Sequence, residues 1–524
     1  MSVAAELNDV EVLAGLGYKQ ELKRAFRPLE VVWMAFSVIG LFPSITQVRV
    51  VFELVPPEWW FGVSRLGLDC VQRLWHDRCM WASGAQLRCT HSRGSVLLDL
   101  QVCVGQMALS IMLGYSNTMG LVAGTASVVW ACAVQLMAAV SIGSNLTFTP
   151  TISQLYAVFV AIYIVTAILA SVATRLLARI QIALACLNVL LCLCIIIAVP
   201  AATPADYRNT AVDVFTKISS LNGWQSGFAF VLGFAGPLWV MGGYDGPVHI
   251  SEEASNANVA VPAAIVSSLG AAILFGFGIF FALAFNMGTD IDAIMNSSIG
   301  QPMATILFNS LGTKGTLVVW AFVVLSQFSV GVNCLVTASR QSFAFSRDGA
   351  LPLSRYLYRI NPYTGTPVNC VWAATTVGLI LGLLAFAGPT AINAIFTLAI
   401  VGSYCSFCIP LSSRLLGGTE WRPGPFTLGK LGAPVTAIAA LWNMFAIVVV
   451  IFPTTPKPTS NTMNYTVVVG GGWIGLCILY YYLPKYGGVH WFKGPAANVD
   501  RHVEGLARWD STEKDEEDKD FAQN

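Results

Sequence analysis

The sequence predicts an all-α polytopic membrane protein, and three observations carry that prediction. Of 524 residues, 55% are hydrophobic and only 11% charged, with a mean hydropathy of +0.66. A soluble domain carries about 25% charged residues, so this chain cannot cover itself with a water-solvated surface. The apolar residues also gather into runs of about 20, the length a helix needs to cross a ~30 Å hydrocarbon core. Finally, 29 Lys and Arg stand against 28 Asp and Glu, a net charge of +1 that gives no basic field for nucleic acid.

Apolar runs lie near 29–48, 108–142, 154–174, 177–199, 226–244, 260–286, 316–338, 368–388, 390–413, 433–453 and 466–484, eleven in all. The run 108–142 exceeds a single crossing and predicts a tilted or overlong helix. Residues 1–28 are polar, carry Lys19, Lys23, Arg24 and Arg27, and read as a cytosolic segment without a signal peptide. With that end inside, and one further crossing between residues 48 and 108, the basic residues sort. Arg175, Arg179, Arg340, Arg347, Arg355, Arg359, Arg414, Arg422 and Lys430 fall inside; Arg208, Lys217, Lys314 and Lys457 fall outside. Arg340 and Arg347 are read as orientation determinants in an inside loop. The three N-x-S/T acceptors, Asn145, Asn296 and Asn464, all fall outside, as glycosylation requires. Residues 29–484 form the membrane domain. The tail 485–524, with eight charges between Ser511 and Asp520, reads as a solvated cytosolic end.

Two runs contain helix breakers. The first reads Ala35-Phe-Ser-Val-Ile-Gly-Leu-Phe-Pro-Ser-Ile45, with Gly40 and Pro43 in mid-membrane. The other reads Gly233-Phe-Ala-Gly-Pro-Leu-Trp-Val-Met-Gly-Gly-Tyr-Asp-Gly-Pro-Val-His249 and is the sixth helix once the extra crossing is counted. Breaks in helices one and six are corresponding members of two five-helix halves, the mark of an inverted-repeat transporter core with its site at the midplane; two further helices complete twelve. At a break, backbone N–H groups suit a carboxylate and carbonyls suit a cation, so a zwitterion or small cation is the matching substrate. Glycine as a packing device is the competing explanation for either break alone.

Just beyond the second break come Asp245, His249, Glu252 and Glu253. A His with carboxylates is the composition of a metal site or a proton relay. The plainer reading, a polar helix end that gates by packing, is preferred for His249 and Glu253. Cys405 and Cys408 form a lone C-x-x-C in an apolar run and read as packing residues. Asn117 and Asn333 are intramembrane amides, for which helix–helix hydrogen bonding is the default and substrate contact the alternative. No nucleophile–base set, metal cluster or phosphate loop occurs in the spans, so no catalytic residue, metal or cofactor is expected and the chain does not read as an enzyme.

The stretch Gly243-Tyr-Asp…His249…Glu252-Glu253…Asn256, followed by Pro262-Ala-Ala-Ile265, resembles the amino acid permeases of the amino acid–polyamine–organocation superfamily, closest to the fungal γ-aminobutyrate and choline branch. Leu16-Gly-Tyr-Lys-Gln-Glu-Leu-Lys-Arg24, Gly114-Tyr-Ser-Asn-Thr-Met-Gly120, Phe345-Ser-Arg-Asp-Gly-Ala-Leu-Pro352 and Pro484-Lys-Tyr-Gly-Gly-Val-His-Trp-Phe492 resemble the same family. The resemblance implies a secondary active transporter for an amino acid or a related amine, proton-coupled, in the plasma membrane rather than the vacuolar one. Its partners would be the small-molecule substrate and the lipid bilayer. The substrate would lie against Ser37, Val38, Ile39 and Gly40 on helix one and Gly242, Gly243, Tyr244 and Asp245 on helix six. A non-transporting nutrient receptor is the alternative, disfavoured because the tail is short for a folded signalling domain.

One segment departs from the family. Residues 48–107 hold 11 charged residues in 60 where the second helix belongs, and one mid-span Arg costs roughly 2.5–3.5 kcal/mol even on the insertion scale. Read one nucleotide later, Trp59-Trp60-Phe61 forces Gly-Gly, Leu66-Gly-Leu68 can read W-G-W, and Met107-Ala108 forces Trp. Cys89 to Cys103 can read A-P-T-A-G-G-L-Y-Y-W-T-Y-K-Y-A, a motif the family carries there. The segment 55–107 therefore reads as a helix encoded in a shifted frame, with a genuine cytosolic or extracellular insert in place of helix two as the alternative; a chain made as written is expected to be misfolded or inactive.

Overall fold

The computed structural model describes residues 20–22, 24–47, 96–172, 174–216, 223–416, 431–453, 455–459 and 463–492. The predicted cytosolic segment before residue 20, the tail beyond 492 and the shifted-frame stretch up to residue 95 lie outside the described residues. Among the described residues every regular element is a helix, and the strand-like contact is one isolated parallel bridge between Phe26 and Ala254. Among the described residues nine helices are long and apolar enough to cross a membrane, and two shorter apolar ones, Gly227–Val240 and Thr466–Tyr482, join them. Together they occupy the eleven predicted spans. Leucines and isoleucines at mid-span, such as Leu190, Ile197, Leu274 and Leu441, are exposed. A water-facing surface would not gather such a belt, whereas hydrocarbon accepts it.

The first span is two helices, α1 (Pro28–Ile39) and α2 (Leu41–Gln47), meeting at Gly40. Pro28 opens α1 where a missing N–H costs nothing, and Glu30 reaches back to accept from the Arg27 N–H at 2.7 Å. Next come α3 (Val96–Gly143), α4 (Ile152–Val172) and α5 (Thr174–Ala202). The sixth span is divided into α6 (Ser226–Gly233), α7 (Ala235–Val240) and α8 (Gly246–His249). The remaining long helices are α9 (Ala257–Ala284), α10 (Pro302–Arg347), α11 (Val368–Gly382), α12 (Pro389–Leu416), α13 (Gly432–Ile451) and α14 (Thr466–Tyr482). The first span is central: 78% of its apolar window is buried, against 33% for α4 and for α5.

Two spans differ from expectation. The long run predicted over 108–142 is part of α3, which starts at Val96. The run predicted over 316–338 is the middle of α10, which is interrupted only at Gly312 (φ 68°, ψ −178°) and continues through Arg340 to Arg347. Arg340 and Arg347 are thus helical residues rather than loop residues, and Arg340 is 2% exposed. A guanidinium tolerates that burial because Glu253 faces it, as described below.

Side-chain ladders fix the directions of the central helices. Along α3 and α10, Gln341 donates to Thr118 at 3.1 Å, Gln327 to the Val128 carbonyl at 3.0 Å and Trp320 to the Gln135 carbonyl at 2.9 Å. These two helices run antiparallel. Asn333 of α10 donates to Ser37 at 3.1 Å, and Gln135 of α3 donates to Thr46 at 2.6 Å. The first span therefore runs the same way as α3, and Gln47 lies beside the far part of α3. Val96 begins α3 39 residues before Gln135, about 58 Å away along an ideal helix. The chain leaves the first span at one end of the bundle and enters α3 at the other.

Candidate functional site

Gly40 ends α1 in the left-handed region (φ 49°, ψ 55°), where a glycine pays no Cβ penalty, and its N–H closes the helix on the Phe36 carbonyl at 3.2 Å. A Cβ there would meet Val330 Cγ2 at 2.3 Å, so α10 presses on the break. Ser44 caps the Ile39 carbonyl with its hydroxyl at 2.7 Å, which satisfies one of the groups the break frees. Ser37, Val38, Ile39 and Gly40 are all buried.

The second interruption is longer. Residues 241–245 form turns between α7 and α8, with Gly243 at φ 83°. A Cβ on Gly243 would meet Val38 Cγ1 at 2.8 Å, and one on Gly246 would meet Val38 Cγ2 at 3.4 Å. The two breaks are therefore in direct contact, with the Val38 methyls seated in a notch made of glycine. Tyr244 and Asp245 are buried, Gly243 is half-buried and Gly242 is exposed, so the turn presents backbone to open space. The Tyr244 ring packs on Phe407 of α12 at 5.5 Å. The structure brings all eight residues expected at the breaks into one region.

Around this region the helices are tied by neutral groups. Gln181 of α5 donates to Asn333 at 2.6 Å, Asn333 donates to Ser37, and Ser37 and Ser329 hydroxyls lie 3.5 Å apart. Asn333 thus does what an intramembrane amide does by default and links three helices. Asn188 accepts from Ser326 at 2.5 Å in the same manner. Gln181 and Ser329 were invisible in the sequence because single polar residues in apolar runs have no spacing that pairs them.

Beyond the breaks the chemistry becomes ionic. His249 Nε2 and Asp245 Oδ2 lie 3.1 Å apart, four residues apart across α8, and both residues are buried. Arg340 Nε donates to Glu253 Oε1 at 2.7 Å, both nearly inaccessible. Arg347 reaches Glu252 Oε2 at 3.2 Å. Burial of His249 and Glu253 is deeper than a plain polar helix end requires. Glu252 and Glu253 also anchor the chain that precedes α1. Glu21 N–H donates to Glu252 Oε1 at 3.1 Å, Ala25 and Phe26 N–H to the Glu253 carbonyl at 3.0 and 3.1 Å, and Arg24 to the Ala254 carbonyl at 2.9 Å. The Tyr358 hydroxyl donates to the Glu21 carboxylate. Residues 20–22 and 24–27 form a strap across this end of the bundle.

The three glycosylation acceptors differ. Asn145 and Asn296 are exposed. Asn464 donates its amide, the atom a glycan would occupy, to the Val450 carbonyl at 2.7 Å and the Phe452 carbonyl at 2.9 Å. Cys405 and Cys408 are free thiols within α12.

A bundle of membrane-length helices, with two of them interrupted side by side at its centre, defines a multi-pass integral membrane protein of the transporter class. Comparison with known proteins takes this further. The amino acid permease family model matches residues 92–473. An uncharacterized amino-acid permease of Schizosaccharomyces pombe is 34% identical over 94% of this chain and 90% of its own length. The GABA-specific permease of Saccharomyces cerevisiae is 33% identical over 95% of this chain and 88% of its own length. Amino-acid permease 2 of Neurospora crassa is 30% identical over 95% and 91%. The chain belongs to the amino acid permease family, and is a transporter rather than an enzyme.

Proposed function

We propose that this permease is a secondary active transporter for a small amino acid or a related amine, such as γ-aminobutyrate or choline, bound where the two helix breaks meet and coupled to protons. The observation that carries the reading is the apposition of Gly40, Val38, Gly243 and Gly246, which places interrupted backbone from two helices in one buried region with exposed glycine at its edge. Among the described residues, Asp245, His249, Glu253 and Arg340 are the buried Asp, Glu, His, Lys or Arg side chains. Glu253 pairs with Arg340 and Asp245 faces His249, so among the described residues each buried basic side chain already meets a carboxylate. That favours a zwitterion or a cation. The relative named for GABA supports the same class. The five-plus-five repeat, the cytosolic placement of the Arg340 end and residence in the plasma membrane belong to this reading.

Uptake of labelled γ-aminobutyrate, choline and a panel of amino acids in a permease-deficient host tests it. Accumulation of one of them above empty vector, dissipated by a protonophore, is the expected result. If none accumulates, the substrate class is wrong.

A second reading concerns the chain as written. Gln47 and Val96 lie at opposite ends of the bundle, and the intervening stretch must connect them with charge density unsuited to lipid. We infer that residues 55–107 are encoded one nucleotide out of frame and that the chain as written does not transport. Sequencing the transcript decides this: an uninterrupted read of the written frame would overturn it. Equal uptake by the written and corrected chains would do the same.

A further inference from the structure

Asn117 of α3 is fully buried, and both its amide nitrogen and its amide oxygen lack a hydrogen-bond partner. Among the described residues no other buried Asn or Gln leaves both atoms unsatisfied; Gln135, Asn188, Asn209 and Gln341 each leave one. An amide buried in this condition weakens the fold, because its hydration is lost and nothing replaces it. Asn333, by contrast, is bonded at both ends of its amide. The expectation that Asn117 ties helices together is not met.

The phase of α3 shows where Asn117 points. With about 100° per residue and Gly120 as origin, Gly124 lies at about 40°, Asn117 at about 60°, Gly114 at about 120° and Thr118 at about 160°. Gly120 and Gly124 face α12: a Cβ on Gly120 would lie 3.0 Å from the Ser403 nitrogen, and one on Gly124 would lie 3.8 Å from Ala399 Cβ. Gly114 and Thr118 face α10, through Phe345 at 2.3 Å and Gln341 at 3.1 Å. Asn117 falls between these two faces and aims into the wedge that α10 and α12 enclose.

Both breaks border that wedge. Val330 and Ser329 of α10 lie against Gly40 and Ser37, and Phe407 of α12 lies against Tyr244. Depth agrees with the second break. Gly120 meets Gly402, and Gly124 meets Ala399, so α3 and α12 run antiparallel. Three residues before Gly120 and five after Gly402 bring Asn117 and Phe407 to within about one helical turn of the same level. Asn117 therefore looks toward the Tyr244 ring, and along α10 it lies nearer Arg340 than the Ser37–Asn333 contact, since its neighbour Thr118 meets Gln341.

We propose that Asn117 is a substrate-binding side chain whose amide hydrogen-bonds the polar end of a zwitterionic or cationic amine substrate beside the Tyr244 ring. The proposal rests on the transport reading above and adds a side chain that the breaks alone do not supply. An amide offers a donor and an acceptor together, so it accommodates an ammonium or a carboxylate without adding charge to a low-dielectric region. A bound ammonium or carboxylate would satisfy the amide that the protein itself leaves without a partner. Binding strength is gained at the expense of stability, as functional sites commonly require.

This makes a prediction that a structural amide would contradict. Asn117→Leu, of similar volume and without polar atoms, should raise the melting temperature of the substrate-free protein by roughly 2–4 °C. The same variant should raise KM for the transported amine at least about tenfold, the loss expected for a hydrogen bond to a charged group. Asn117→Gln should recover part of the KM without the gain in stability. The measurements are melting in detergent with and without γ-aminobutyrate, choline or individual amino acids, and uptake kinetics, on full-length protein expressed from the native transcript. A lower melting temperature for Asn117→Leu, with Asn117→Gln near wild type, would show that the amide has a protein partner and overturn the proposal. So would an unchanged KM in the leucine variant. If wild-type protein responds to no compound in the panel, the substrate class fails, and the melting comparison alone then decides whether the amide stands unsatisfied.

Discussion

The waist of the bundle and its Arg340 end hold helices together by different chemistry. At the waist, Gln181, Asn333, Ser37 and Ser329 join three helices through neutral hydrogen bonds, and glycines let backbones touch. At the Arg340 end, carboxylates and guanidinium groups pair under burial, and the strap of residues 20–22 and 24–27 crosses over them. Neutral bonds in a membrane interior contribute little each, so a helix can exchange one partner for another at modest cost. A buried ion pair behaves otherwise: separating it strands two charges. Partners at the waist can therefore be exchanged at modest cost, whereas parting Arg340 from Glu253 is expensive.

The largest expected effect tests the ionic end. Arg340→Met strands the Glu253 carboxylate and should lower stability by roughly 3–5 kcal/mol, seen as loss of a monodisperse peak and a collapsed melting temperature in detergent. Replacing both residues, Arg340→Met with Glu253→Leu, should restore most of it. If the double variant melts as low as the single, the pair is not what Arg340 contributes. A smaller effect is expected where α3 and α12 cross. A Cβ on Gly402 would lie 2.7 Å from the Ser116 carbonyl oxygen and 3.0 Å from the Gly120 nitrogen. Backbone cannot rotate aside, so Gly402→Ala should cost about 1–3 kcal/mol, read by the same melting assay. The smallest effect belongs to the amide network: Asn333→Leu should cost only about 1 kcal/mol. A loss as large as that of Arg340→Met would erase the contrast between waist and end.

Much of this architecture can be read from the residues. Apolar runs locate the spans because lipid imposes one length on every helix, and Gly40 and Gly243 mark the breaks because glycine takes their positive-φ dihedrals freely. By sequence Arg340 reads as a loop residue, since a lone arginine marks the edge of an apolar run; its partner Glu253 lies 87 residues away, and no periodicity connects them. The same holds for Gln181 and Asn333, 152 residues apart. Asn117 was visible as an intramembrane amide, but its role depends on what surrounds it, and only packing between α10 and α12 supplies that.

The seat of Val38 in the notch of Gly243 and Gly246 has a consequence for how such chains diverge. Enlarging residue 38 demands room that only Gly243 and Gly246 provide, and a side chain at 243 would have to fill that room in a left-handed backbone. The three positions are therefore bound into one inherited unit. Among related permeases, a change at one should be found with a compensating change at another, and isolated substitutions should be rare.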